Sequence, residues 1–154
     1  MDVKTIQDLY KKAVLAELDG VEFIAEFEDE ELADSYNGIG PEFLPPTLRE
    51  KVTRHLSLFA PAALIHDLRN YLSDGMRRRF HRANDEFLRN CRRCADAKYP
   101  WWSWKRYRAR ATAKMLFKFV DGHPGWKAWM DCYRRRFPED PEKQTTTQRN
   151  NNHE

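Results

Sequence analysis

The short turn Ser73-Asp74-Gly75 joins two segments of helical pattern. A connection that short makes the two helices antiparallel neighbours. The first is predicted from Phe59 or Ala60 to Leu72, with Pro61 in its first turn, where a missing N–H costs nothing. The second is predicted from about Arg77 to Lys98. Its buried stripe is Phe80, Ala83, Asn84, Phe87, Leu88, Cys91 and Ala95, and Asp85 borders it.

The rest of the chain has to pack on this hairpin. Val3 to Leu18 reads as an amphipathic helix with Ile6, Leu9, Tyr10, Ala13 and Val14 at helical spacing, ended by Asp19-Gly20. Val21 to Phe27 alternates like a short strand, although Phe23 and Phe27 also suit a helix; the strand is the reading taken. Glu28 to Glu31 is an acidic, solvated run. Pro100 stops the second central helix. Ser103 to Val120 is a third long helix, with Tyr107, Ala111, Ala113, Met115, Leu116, Phe119 and Val120 mostly inward. Trp126 to Phe137 is a short terminal helix. The fold class is therefore mainly α, with room for one short strand or hairpin. Residues 1–137 form one domain, and the polar tail 138–154 is expected to be disordered.

Composition narrows the class further. No apolar run is long enough to span a bilayer, and Met1 to Lys12 lacks the basic start and apolar centre of a secretory signal. Three cysteines cannot all pair, so a disulfide framework is not expected and a cytoplasmic protein is the default. The net charge of +3 hides a division. Residues 1–50 hold 4 Lys and Arg against 13 Asp and Glu, whereas residues 77–136 hold 18 against 5. Such a basic half either steers towards phosphates of lipid or nucleic acid, or is balanced by the acidic half.

Chemistry-bearing residues concentrate between Tyr36 and Asp85. Gly38 and Gly40 sit in a loop, Tyr36-Asn37-Gly38-Ile39-Gly40, that can turn carbonyls inward at a cation or form an ordinary Asn-Gly turn. His66-Asp67 lies on the first central helix and Asp85 on the second. By this order of loop, His-Asp pair and second Asp, the chain resembles the phospholipase A2 superfamily, nearer its bacterial, viral and phage-borne branches. Residues 36–90 carry the resemblance. Ile39 stands where the family loop often has Cys, Ala62, Ala63 and Asn84 where secreted members have cysteines, and Asn70 where the family tyrosine usually lies, with Tyr71 one further on. The resemblance implies a calcium-dependent ester hydrolase. His66 would be the general base and Asp85 would orient it. Asn37, Gly38, Gly40 and Asp67 would hold Ca²⁺. His81, one turn before Asp85, is an alternative partner.

Two further readings come from the residues. Trp101, Trp102 and Trp104 beside Lys105 and Arg106, together with Arg77, Arg78 and Arg79, could meet a phospholipid surface or stack on nucleic-acid bases. The preferred reading of the tryptophans is that they cap the core. The rival function is a catalytically inactive basic binding or assembly module for nucleic acid or an acidic protein. Cys91 and Cys94 read as core residues, because a zinc site needs two more ligands at recognisable spacing.

Overall fold

The computed structural model describes residues 2–36 and 56–138. Among the described residues there are seven α-helices, one 3₁₀ turn and no strand. In chain order they are α1 (Val3–Leu15), α2 (Val21–Ile24), α3 (Asp29–Ser35), the 3₁₀ turn (Ser57–Phe59), α4 (Ala60–Tyr71), α5 (Arg77–Lys98), α6 (Trp104–Val120) and α7 (His123–Arg136). The tail beyond Pro138 lies outside the described residues.

The described part of the acidic half, residues 2–36, holds α1, α2 and α3. Asp2 caps α1, its carboxylate accepting from the Thr5 N–H at 2.9 Å. Ile6, Leu9 and Ala13 form its buried face. The helix ends at Leu15, earlier than predicted, because Glu17 takes a φ of +50° and turns the chain so that Leu18 is buried. The segment after Gly20 is helical, not a strand. Gly20 enters α2 at φ +87°, and the 3–4 spacing brings Phe23 and Phe27 together edge to face at 5.3 Å while Ile24 is buried. The alternation of Val21, Phe23, Ala25 and Phe27 misled because four residues fit both periods. The acidic run supplies the first turn of α3, where Asp29, Glu30 and Glu31 oppose the helix dipole.

The central hairpin forms as the turn predicts. From the start of α4 onward, Ala62 lies beside Cys94, His66 stacks on Phe87 at 4.7 Å and Arg69 pairs with Glu86 at 3.1 Å, so the helices run antiparallel. Asn90, fully buried on α5, ties the acidic half to this frame. It accepts from the Asp19 N–H at 2.8 Å and donates to the Asp19 carbonyl at 2.9 Å. Arg89 and Arg93 pair with the Asp19 carboxylate, each at 2.9 Å. The two halves attract each other at this point.

Helix α6 departs from expectation. Its buried residues are the small Ala109 and Ala113, one turn apart, which let it approach α5 closely. Tyr107, Met115 and Phe119, expected inward, are exposed. Helix α7 begins at His123, three residues before the predicted start, with Pro124 in the first turn. Gly125 is required there, since a Cβ would lie 1.7 Å from the Val120 carbonyl oxygen. Trp129, Met130 and Tyr133 then close a second small core on Phe80 and Ala83.

Candidate functional site

His66 sits in the middle of α4, 7% exposed, and its ring is held on both edges. Its Nε2 lies 2.9 Å from Asn84 Oδ1. The Asn84 amide nitrogen lies 2.9 Å from Asp121 Oδ1, and His81 Nδ1 reaches the same carboxylate oxygen at 2.7 Å. Asp121 fixes the order of this chain. A carboxylate only accepts, so Asn84 must turn its NH₂ towards Asp121 and its carbonyl oxygen towards His66. His66 then carries its proton on Nε2, and Nδ1 holds the lone pair. Asn70 Nδ2 approaches Nδ1 at 3.4 Å, and Asp67 Oδ1 lies 3.8 Å away.

Asp85 does not take the place expected of it. One residue is a turn of about 100° on a helix, and that rotation carries Asp85 to solvent. Asn84, which belongs to the buried stripe, occupies the position against His66. An amide there can orient the ring but brings no charge to balance an imidazolium. The nearest carboxylate beyond it, Asp121, acts only through the amide. His81 binds that carboxylate from the outer side. The Asn84–Asp121 link could not be read from sequence, because it joins the interior of one helix to the C-cap of another, 37 positions apart.

Asp67 is largely buried beside His66 and Tyr36. The Tyr36 hydroxyl is pushed up to about 12, first by burial and then by the negative charge of Asp67. Asn37, Gly38 and Gly40 lie outside the described residues. Among the described residues, Asp67 is the only carboxylate of the expected calcium set, and no group of three or more His, Cys, Asp or Glu is arranged to hold a metal. Calcium needs six to eight oxygens, so the described residues alone do not fit it.

The residues expected to form one interface separate into two places. Arg77, Arg78 and Arg79 open α5 and the tryptophans follow its end, so helix rise keeps them roughly 30 Å apart. Arg79 pairs with Asp74 at 2.9 Å, and Arg77 lies over the Trp126 ring. At the other end, Trp101, Trp102 and Trp104 are 72%, 69% and 71% exposed. They do not cap the core. Helical rotation places Trp104, Ala111 and Met115 within an arc of about 40° on the outer face of α6, with Lys105 and Arg108 on one side and Lys114 and Lys118 on the other. Arg106 and Arg110 turn inward to Asp96, at 2.7 and 2.6 Å.

Cys91 and Cys94 are buried free thiols. Burial pushes both thiols up, Cys94 to about 11, so neither is poised as a thiolate. Comparisons of this chain with protein-family models, with curated proteins and with solved structures find no match.

Proposed function

We propose that the chain docks on anionic phospholipid surfaces through α6 and the Trp101–Trp104 corner. One observation supports this above the rest: α6 buries Ala109 and Ala113 but leaves Trp104, Tyr107, Met115 and Phe119 exposed, while carrying six cations and no carboxylate. Indole and phenol rings favour the headgroup level, and flanking cations meet lipid phosphates. Each Lys or Arg near an anionic surface contributes about 1 kcal/mol. Lys105, Arg108, Lys114 and Lys118 are the four not committed to Asp96. Ala111 and Met115 continue the stripe with side chains that do not stack on bases, which favours lipid over nucleic acid. Co-sedimentation with vesicles tests the reading. Binding should require anionic lipid and weaken with salt. Binding to single-stranded nucleic acid but to no vesicle would replace lipid with the nucleic-acid partner.

A second reading, a phospholipase A2-like ester hydrolase acting at that surface, is favoured by the hydrogen-bond order at His66. With Nε2–H fixed by Asn84, the Nδ1 lone pair is the one that would take a proton from an attacking water. An amide in the orienting position is known in other histidine-based hydrolases. Calcium belongs to this reading through Asp67 and the loop residues Asn37, Gly38 and Gly40. Bound there, it would polarise the ester carbonyl. Fatty-acid release from mixed vesicles, with calcium or chelator, is the assay. His66→Gln should lower the rate by about 10²–10⁴. If the wild type releases nothing under either condition, the hydrolase reading falls and docking alone stands.

A further inference from the structure

A cleft among the described residues lies away from His66. It has a volume of about 870 Å³ and lies between the end of α1, the 3₁₀ turn, the end of α5 and the inner flank of α6. Its nearest α4 residue, Pro61, precedes His66 by more than a turn, and no member of the His66 network lines it.

Its lining is divided by chemistry. Leu58, Phe59 and Ala109 supply apolar surface, and Leu15 stands at the edge, 83% exposed. Four cations line the same space: Lys12 from α1, Lys98 from α5, and Lys105 and Arg108 from α6. No described lining residue is a carboxylate. The acid closest in the sequence of α5, Asp96, is already occupied by Arg106 and Arg110. Three separate helices therefore bring positive charge to one cleft with no carboxylate among its described lining residues. Like charges gathered this way repel each other and weaken the fold unless an anion balances them.

We infer that this cleft binds a single-chain amphiphile with a phosphate monoester head. The apolar walls take the chain, and the volume falls in the range of clefts that enclose small ligands. A phosphate monoester carries up to two negative charges and several acceptor oxygens, which matches an arginine with three lysines better than a carboxylate does. The α6 wall, Lys105, Arg108, Ala109 and Thr112, is one residue round the helix from the outward Trp104–Tyr107–Ala111 stripe. The cleft flanks the proposed docking face but does not depend on it.

The test is calorimetric titration of the whole chain with dodecyl phosphate below its micelle-forming concentration. Dodecanoate, dodecyl maltoside and inorganic phosphate are the comparison ligands. Dodecyl phosphate should bind one to one and at least tenfold more tightly than each of the others. Lys105→Glu with Arg108→Glu should weaken it tenfold or more. So should Ala97→Trp, which fills the cleft from an exposed position without touching the core. Trp101→Ala with Trp102→Ala should leave this affinity unchanged even if vesicle binding is lost, which separates the cleft from the docking face. The inference is overturned by no binding to the wild type. It is equally overturned by equal affinity for dodecyl maltoside or inorganic phosphate, or by unchanged affinity in both the charge-reversed and the filled variants.

Discussion

Asn84→Leu should destabilise the fold by an amount that the hydrogen bonds of Asn84 predict. Asn84 is fully buried and makes two bonds of 2.9 Å, one to His66 and one to Asp121. Leucine fills similar space and makes neither. The His66 Nε2–H would then be buried without a partner, at a cost of about 1–3 kcal/mol. Asp121 is 27% exposed and keeps His81, so water replaces the lost bond there at a cost of about 1 kcal/mol or less. The sum is about 1–4 kcal/mol, or a fall in Tm of roughly 2–16 °C for a domain of this size. Replacing both partners removes the orphaned donor. His66→Phe keeps a ring against Phe87, so His66→Phe with Asn84→Leu should be more stable than the two single losses predict, by at least about 1 kcal/mol. Urea unfolding followed by circular dichroism measures all four proteins. A loss below about 0.5 kcal/mol for Asn84→Leu, or additive single effects, would refute the network.

Asp85→Asn should change stability by less than about 0.5 kcal/mol and leave any ester hydrolysis intact, because the side chain faces solvent; urea unfolding and fatty-acid release check both. Burial is the largest single influence on the Asp96 carboxyl and works to raise it, but the hydrogen bonds and charges of Arg110 and Arg106 together hold it below its ordinary value. Its contribution to stability is thus present above the ordinary carboxylate range and lost as pH falls through the lowered value. The gap in stability between wild type and Asp96→Asn should accordingly be widest near neutral pH and close in strong acid, as read by unfolding at a series of pH values. Gly125→Ala should cost about 1–3 kcal/mol or more, because the new Cβ meets the Val120 carbonyl backbone; thermal unfolding measures it.

The central hairpin was legible because its signals are local. A short turn, a proline in the first turn and an unbroken 3–4 pattern define α4 and α5 without reference to distant residues. The pattern also held the answer at the candidate site. Asn84 lies in the buried stripe of α5 and Asp85 does not, yet the motif drew attention to the carboxylate one step outside it. The helical phase was the better guide. The α6 face was misread for another reason. An apolar stripe is usually buried, but the rule runs one way, since buried positions are apolar and apolar positions need not be buried. The usable signal was the pair Ala109 and Ala113, small residues one turn apart on the opposite face. The clamp of Asn90 on Asp19 was not legible at all. It spans 71 positions, and nothing local marks either residue.

Tryptophan fluorescence on vesicles of brominated anionic phospholipid tests the docking face most directly, because bromine quenches only rings that enter the bilayer at its depth. The account predicts strong quenching by bromines near the headgroup end of the chains and weak quenching by bromines near the chain ends. It predicts loss of that quenching in the Trp101→Ala, Trp102→Ala, Trp104→Ala protein, whose Tm should stay close to wild type because all three rings are mostly exposed. Vesicle-bound protein whose tryptophans are unquenched at every depth, or a triple variant that binds as tightly as wild type, would contradict it.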